Sequence, residues 1–183
     1  MKQIIIDTDP GIDDTMAIYF ALNSPELEVI GLTTVYGNTS NIQGTENALR
    51  ILEIANKEGI PVHTGASKPL MTEYLGKGEI VHGIDGQGNS NLIQPKIKEG
   101  EISAINFMKN KIDEFPGQIT LVPIGPLTNI AQLLTEYPGI DKKIKEIVLM
   151  GGNALSQGNA SPAAEANIKN DPEAANHVFK SNT

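Results

Sequence analysis

With 183 residues, 39% of them hydrophobic and 20% charged, the chain has the length and composition of one folded domain rather than of a disordered segment. Its formal net charge of −8 argues against a nucleic-acid backbone as partner, and the lack of cysteine excludes disulfides, thiolate catalysis and cysteine-bound metals. Arg50 is the only arginine, and because bidentate phosphate recognition favours arginine, its scarcity weakens the case for a phosphorylated substrate. No apolar run reaches the length of a membrane span.

The first predicted unit is a strand followed by a helix. Residues 4–6 are three consecutive isoleucines, typical of a buried strand; Pro-Gly at 10–11 ends that strand, and residues 16–20 read as helix. The run D-T-D-P-G-I-D-D over residues 7–14 therefore lies between a strand's carboxyl end and a helix's amino end, where open α/β sheets bind ligands. Because the strand begins so near Met1, we expect no signal peptide and a soluble, cytoplasmic protein.

The rest of the chain continues to alternate strand and helix. Strands are predicted at residues 28–36, 61–63, 118–123 and 146–150, and helices at residues 45–57, 101–114, 127–135 and from 170–173 onward. Residues 65–100 are rich in Gly, Pro and Asn, which predicts a long loop region of the kind that often covers an active site.

This alternation predicts one α/β domain over residues 1–183. We expect an open, mostly parallel sheet with helices on both faces and a Rossmann-like core. A helix late in such a series normally leads into another strand. We therefore expect that the C-terminal part of the domain is missing.

The acidic run has a functional and a structural interpretation. Carboxylates this close raise one another's pKa unless hydrogen-bond donors or a cation compensate, and a hard cation, Ca²⁺ or Mg²⁺, is the simplest compensation. Asp13 or Asp14 alone is more readily explained by helix capping, which stabilises by about 0.3–1 kcal/mol. Capping does not explain Asp7 and Asp9 at the end of an apolar strand. We interpret the four aspartates together as a functional site.

Seven motifs in a fixed order identify a family resemblance. They are D-T-D-P-G-I-D-D (7–14), V-Y-G-N (35–38), H-G-I-D-G (82–86), P-I-G-P-L-T-N (123–129), V-L-M-G-G-N (148–153), G-N-A-S-P-A-A-E-A-N (158–167) and D-P-E-A-A (171–175). With them the chain resembles the inosine-uridine preferring nucleoside hydrolases, which are calcium-dependent N-ribohydrolases. The resemblance runs from residue 4 to about residue 180 and implies a nucleoside hydrolase-like fold.

The resemblance implies a role for each matched position. Asp9 matches the aspartate that binds calcium and accepts a proton from the attacking water. Asp14 and the backbone carbonyl of Ile124 match further calcium ligands. His82 matches a residue of the family's mobile loop, near where the base leaves, and is the second catalytic candidate. The positions that match sugar contacts are Asp13, Asn38, Met150, Asn159, Glu165 and Asn167.

The implied reaction suits these groups. Breaking an N-glycosidic bond builds oxocarbenium character on the ribose, a bound Ca²⁺ orients the diol and lowers the pKa of a water, and a carboxylate beside that water acts as general base. The resemblance further implies ribonucleosides as partners, a place in purine and pyrimidine salvage, and a homodimer or homotetramer. Neither nucleic acid nor membrane is an expected partner.

The chain also departs from the family pattern. Members normally continue well beyond this length and carry a late His-Asp pair there. That aspartate completes the calcium shell, and the histidine protonates the base in purine-preferring members. Ala166 stands where some members have a phenylalanine beside the sugar. The base preference stays open.

Several residues have an alternative, structural interpretation. Asn38 and Asn159 are equally explained as turn residues on spacing alone. Asn170 and Asp171 are better explained as helix caps than as ligands. His63 and His177 have no partner pattern and are expected to be structural.

Two rival functions fit part of the pattern. Haloacid-dehalogenase-like phosphatases also begin with two aspartates one residue apart after a strand, but they want Thr or Val where Gly11 stands. The other rival is a truncated domain that binds calcium and ribosides without turnover. A purely structural module leaves the acidic run unexplained.

Overall fold

Across the residues that the structure describes, five strands form one sheet in which every neighbouring pair is parallel. The computed structural model describes residues 1–76, 78–90 and 93–181. Within them the strands are β1 (Lys2–Thr8), β2 (Leu27–Thr34), β3 (Val62–Thr64), β4 (Thr120–Pro123) and β5 (Glu146–Ile147). Their order across the sheet is β3-β2-β1-β4-β5. The predicted parallel α/β sheet is confirmed.

Helices cover both faces of this sheet, as predicted. They are α1 (Ile12–Asn23), α2 (Asn41–Ile54), α3 (Glu79–His82), α4 (Ala104–Glu114), α5 (Thr128–Glu136), α6 (Ala166–Asn170) and α7 (Pro172–Phe179), with a 3-10 turn at Ile140–Lys143. Among the described residues, no helix combines the length and apolar character that crossing a membrane requires.

The two faces of the sheet carry separate apolar cores. Side chains alternate between the faces along a strand. Ile5 packs in the core formed with α4, α5 and α7, whereas Ile4 and Ile6 pack in the core formed with α1 and α2. Burying one such side chain stabilises the fold by about 1.5–3 kcal/mol. The three consecutive isoleucines therefore hold β1 between both helix layers.

The order in which strands are added to the sheet reverses at the central strand, β1. From β1 the chain moves outward through β2 to β3, and β4 and β5 then lie on the other side of β1. Ligand sites in such sheets lie outside the carboxyl ends of the strands at this switch point. Because β1 ends at Thr8, the acidic run begins at this switch point.

Some elements differ from the prediction, and among them helix α2 spans Asn41–Ile54 rather than 45–57. Strand β5 ends at Ile147 rather than at 150, although Val148 and Met150 still donate their N–H groups to the carbonyls of Leu121 and Pro123. Helix α6 is not predicted by the sequence pattern, because five residues are too few to show a helical period. In the described part of 65–100, the one regular element is the single turn α3.

Asp171 joins α7 to two other parts of the fold. Its Oδ1 accepts from the Ala174 N–H at 3.0 Å, which caps the helix, and Pro172 occupies the first helical position as predicted. Its Oδ2 accepts from the Leu70 N–H at 3.0 Å and from the Thr128 hydroxyl at 2.7 Å. The carboxylate is fully buried. Asp171 is thus a cap, as its spacing indicates, and also a buried junction.

We expect Asp171→Ala to lower the free energy of unfolding by about 2–4 kcal/mol, because a cap is lost and two further donors, the part-buried Leu70 N–H and the buried Thr128 hydroxyl, lose their acceptor. Chemical denaturation measures this change. Ser103→Ala is the matched control, since Ser103 is an exposed cap with one bond to the Asn106 N–H. We expect that control to cost about 1 kcal/mol or less. Equal losses in the two variants would contradict the junction role.

Candidate active site

Asp9 is a buried carboxylate immediately after β1. Its Oδ2 accepts a hydrogen bond of 2.7 Å from the backbone N–H of Asn38. Its Oδ1 is buried and has no hydrogen-bond partner among the residues that the structure describes. Burial and the neighbouring charge of Asp14 raise the pKa of Asp9 well above its usual value. An oxygen in this state is a position for a cation or a polar ligand.

Two glycines hold the Asp9 carboxylate between them. A Cβ on Gly37, which follows β2, would lie 2.0 Å from Asp9 Oδ2, and a Cβ on Gly125, which follows β4, would lie 2.7 Å from Asp9 Oδ1. No side chain fits at either distance. The backbones after β2 and β4 thus approach the carboxylate from two sides, and this approach requires glycine.

Asp14 lies beside Asp9 at the start of α1. Its Oδ1 accepts from the Thr8 hydroxyl at 2.8 Å, and its Oδ2 accepts from the Gly11 N–H at 3.2 Å and the Asn38 amide at 2.9 Å. Burial raises its pKa. The bond to Gly11 is a capping bond, but Thr8 and Asn38 are not part of a cap. Asp14 therefore combines the capping interpretation with membership of the acidic cluster.

Asn38 connects the two carboxylates, donating its backbone N–H to Asp9 and its side-chain amide to Asp14. A simple turn residue makes no such pair of contacts. The structure therefore brings Asn38 to the acidic cluster.

Asp13 and His82 form the outer part of the site. The Asp13 side chain is 78% exposed, and its Oδ1 lies 3.8 Å from His82 Nδ1. The same nitrogen accepts a hydrogen bond of 3.2 Å from the Ile12 N–H. In the neutral ring the proton therefore sits on Nε2. The end of α3, which carries His82, is thus packed on the first turn of α1.

A second group of predicted residues gathers at the carbonyl of Ile124. The side-chain amide of Asn167 donates to this carbonyl at 2.8 Å and to the carbonyl of Met150 at 3.0 Å. Asn167 is buried, whereas Met150 is 48% exposed. Asn167 therefore joins the turn after β4 to the segment after β5.

Glu165 supports this group and is itself occupied by backbone donors. Its Oε1 accepts from the Asn167 N–H at 2.9 Å, and its Oε2 accepts from the N–H groups of Gly152 at 3.0 Å and Ile168 at 3.1 Å. Asn159 is exposed, and its Oδ1 accepts from the Ala166 N–H at 2.9 Å. Both side chains thus shape the segment around α6 in addition to any ligand contact.

Asp7 and Asn129 form a buried layer beneath Asp9. Asp7 Oδ1 accepts from the Thr33 hydroxyl at 2.6 Å and from the Asn129 amide at 2.8 Å. Asn129 also donates to the Thr34 carbonyl at 2.9 Å and accepts from the Ala66 N–H at 2.8 Å. Sequence reasoning missed Asn129, although it ends the P-I-G-P-L-T-N motif. Its position in that motif was the available signal.

Burial raises the pKa of Asp7 to about 7. A raised native pKa gives stability that is complete below the unfolded value near 3.8 and is lost as the pH rises through about 7. In chelator, we expect the wild type to lose about 1 kcal/mol more than Asp7→Asn between pH 6 and 8. Urea unfolding at both pH values measures this difference. A difference near zero, or of the opposite sign, would contradict a buried Asp7 whose Oδ2 has no hydrogen-bond partner among the described residues.

The oxygen ligands of the site suit a hard cation but form an incomplete shell. Among the described residues, no three His, Cys, Asp or Glu side chains come together around one metal position. Among the described residues, the candidate oxygen donors are the adjacent carboxylates Asp9 and Asp14 and the backbone carbonyl of Ile124, which also accepts from Asn167. The unpartnered, buried Oδ1 of Asp9 is the observation that fits a cation.

One cavity of the described surface lies apart from the acidic site. A cavity of about 390 Å³ lies between α2, β3 and the segment before α4, lined in part by Ile42, Thr45, Leu49 and Thr64. None of the four clustered aspartates lines it.

Known proteins match nearly the whole chain. The family model described as inosine-uridine preferring nucleoside hydrolase matches residues 4–183. Uridine nucleosidase 1 of Arabidopsis thaliana is 48% identical over 180 residues, which are 98% of this chain and 54% of that protein. A pyrimidine-specific ribonucleoside hydrolase of Shewanella sp. (strain MR-7) is 46% identical over 98% of this chain and 56% of its own.

The chain also superposes on solved structures of nucleoside hydrolases. A plant nucleoside hydrolase superposes with a TM-score of 0.92 at 47% identity, over 97% of this chain and 56% of that chain. A purine-preferring ribonucleoside hydrolase from Gardnerella vaginalis gives 0.94 at 38% identity, over 98% and 58%. The chain thus spans about half the length of the curated relatives it matches.

Proposed function

The chain belongs to the inosine-uridine preferring nucleoside hydrolase family, and from this premise we propose that its acidic site hydrolyses the N-glycosidic bond of ribonucleosides to ribose and free base. The observation that carries the proposal is the Asp9 carboxylate, which is buried beside Asp14 with one oxygen unpartnered among the described residues. A buried acid at a switch point is suited to binding a cation and moving a proton.

We propose Ca²⁺ as the cofactor, held by Asp9, Asp14 and the Ile124 carbonyl. When bound, the ion supplies a lowered pKa for an attacking water and orients the sugar diol. Asp14 Oδ1 has one described donor, Thr8, and can accept a further partner. Since Ca²⁺ takes six to eight oxygen ligands, water, the diol or other protein groups would fill the remaining positions.

Asp9 is the proposed general base. The attacking water would lose its proton to an Asp9 oxygen as its own oxygen bonds to the anomeric carbon and the bond to the base breaks. Burial raises the pKa of Asp9, which is the direction that brings a carboxylate toward the working range of a general base. The bond from the Asn38 N–H fixes the orientation of the carboxylate.

His82 is the proposed donor on the side of the departing base. Its Nδ1 accepts from Ile12, so the neutral ring carries its proton on Nε2, which can donate to a leaving group. Its placement beside Asp13 at the amino end of α1 supports this role.

The proposed sugar contacts are Asp13, Asn38, Met150, Asn159, Glu165 and Asn167. Asn38 lies between the two carboxylates, and Asn167 lies at the Ile124 carbonyl. Glu165 Oε1 has one described donor and can accept a second one from a hydroxyl. Amides and carboxylates suit a diol because it both donates and accepts hydrogen bonds.

We further propose a cytoplasmic enzyme of nucleoside salvage that assembles as a homodimer or homotetramer and needs neither nucleic acid nor membrane. The net charge of −8 supports the exclusion of nucleic acid.

A second candidate function is riboside binding without turnover. The incomplete oxygen shell among the described residues favours it. Uridine that binds only with Ca²⁺ and releases no ribose would identify this function.

The test is a product analysis. The chain is incubated with uridine, inosine and a phosphorylated substrate in Ca²⁺ or Mg²⁺, and ribose, free base and phosphate are quantified by chromatography. We expect equal amounts of ribose and free base with Ca²⁺, and no release of phosphate from the phosphorylated substrate. Release of phosphate alone would favour a haloacid-dehalogenase-like phosphatase, in which two aspartates also follow a strand one residue apart, as Asp7 and Asp9 do.

A further inference from the structure

Asn47 of α2 is buried, lies outside the acidic run and has no role in the hydrolysis described so far. Its side-chain amide donates to the Pro10 carbonyl at 3.0 Å and to the Asp85 carbonyl at 2.8 Å. Pro10 is in the turn between Asp9 and α1, and Asp85 is in the H-G-I-D-G segment that carries His82. A single side chain thus joins the two loops that carry the proposed catalytic groups.

The orientation of Asn47 is fixed by its other end. Its Oδ1 accepts from Arg50 Nη1 at 2.8 Å and from Gln43 Nε2 at 3.1 Å. Both amide hydrogens and both oxygen lone pairs are therefore used. A flipped amide would set its oxygen against two carbonyl oxygens and its NH₂ group against a guanidinium.

Arg50 extends the same contact along the loop. The guanidinium is buried, and its Nε donates to the Ile93 carbonyl at 2.8 Å while Nη1 also reaches Gln87 Oε1 at 3.4 Å. Gln87 in turn donates to the Thr15 hydroxyl of α1 at 3.2 Å. The guanidinium of Arg50, the single arginine of the chain, thus donates to the loop residues Gln87 and Ile93.

Gly86 makes the close approach possible from the side of the loop. Its φ is +73°, and a Cβ there would lie 2.9 Å from Asn47 Nδ2 and 3.2 Å from the Pro10 carbonyl. Asp85 Oδ1 orders the same turn by accepting from the N–H groups of Gln87 and Asn89, each at 2.8 Å. The conformation of the turn at Asp85 and Gly86 therefore allows its backbone to approach the Asn47 side chain closely.

We propose that Asn47 is a positioning residue that fixes the H-G-I-D-G segment on the Pro10 turn and so sets where His82 stands relative to the carboxylates. This role rests on the proposed hydrolase function. Asn47 touches no reacting atom in it and acts through the placement of His82. Loss of its donors would free the segment while leaving the helix that carries Asn47 in place.

The first test is hydrogen exchange of the backbone amides of residues 83–90 in Asn47→Asp. The aspartate keeps the size of the side chain and its acceptor for Arg50, but it has no donor for the two carbonyls. We expect about tenfold faster exchange in this segment. Asn41→Asp is the matched control on the same helix, because Asn41 donates to the Gly65 carbonyl in a different loop. Gly86→Ala should reproduce the faster exchange without altering α2.

The second test is a double-mutant cycle on the hydrolysis of uridine. We expect Asn47→Asp to lower kcat/KM about tenfold when His82 is present and less than about threefold in a His82→Ala background. A purely structural effect would be equal in both backgrounds and would overturn the proposal. Unchanged exchange at 83–90 would also overturn it. If the wild type releases no ribose, the proposed hydrolase function is wrong. The exchange measurement then still decides whether the bonds of Asn47 to Pro10 and Asp85 fix the loop.

Discussion

Replacing Asp9 by alanine is expected to lower the rate of ribose release from uridine by at least about 1,000-fold. The variant loses the proposed general base, which alone contributes about 100- to 10,000-fold, and a proposed calcium ligand as well. Both roles meet in one carboxylate, because Asp9 Oδ1 is buried and unpartnered among the described residues while Oδ2 is fixed by Asn38. Steady-state release of ribose at saturating Ca²⁺ measures the effect.

Two further variants serve as comparisons for Asp9→Ala. Asp9→Asn keeps the shape and removes the charge, so it should lose nearly as much activity as alanine. Asp113→Asn removes a carboxylate from α4, where Asp113 pairs with Lys109 and Lys143 at the surface, and should leave the rate unchanged. Retained activity in either Asp9 variant would show that another group activates the water.

Replacing Gly37 by alanine is the second large effect that we expect, a loss of about 100-fold or more in ribose release. The Cβ would lie 2.0 Å from Asp9 Oδ2, so the carboxylate or the backbone after β2 must move. Either movement breaks the bond between the Asn38 N–H and Asp9. A displacement of about 1 Å at a catalytic group is enough for a loss of this size.

Gly59→Ala is the matched control for this substitution. A Cβ at Gly59 meets nothing within 4 Å, so its activity should equal that of the wild type and its stability should change by about 1 kcal/mol or less. Circular dichroism of both variants would show whether the folded state is kept. Full activity in Gly37→Ala would contradict the close approach of the two loops to Asp9.

The sheet could be predicted because its signals are local. Three consecutive isoleucines, a Pro-Gly break and the apolar run at 16–20 each lie within one short segment, so β1 and α1 follow from neighbouring residues alone. The cap at Asp171 was predicted for the same reason, from its position before Pro172. The additional bonds of Asp171 to Leu70 and Thr128 depend on residues far away in sequence and left no local signal.

The acidic site could be predicted in part. Adjacent helix positions point in directions about 100° apart, so Asp13 and Asp14 cannot both face the core. The pattern alone does not say which faces inward; the structure buries Asp14 and exposes Asp13. The contacts of Asn129 and Asn47 each span many residues of chain, and no periodicity could reveal them.

The measurement that tests the account most directly is a calcium titration of ribose release from uridine, starting from chelator-treated protein, for the wild type and Asp9→Asn. We expect release that is absent in chelator, rises and saturates with Ca²⁺ in the wild type, and stays absent in Asp9→Asn at every concentration. Release that persists in chelator, or that Asp9→Asn recovers with added Ca²⁺, would contradict a calcium-dependent hydrolysis directed by Asp9.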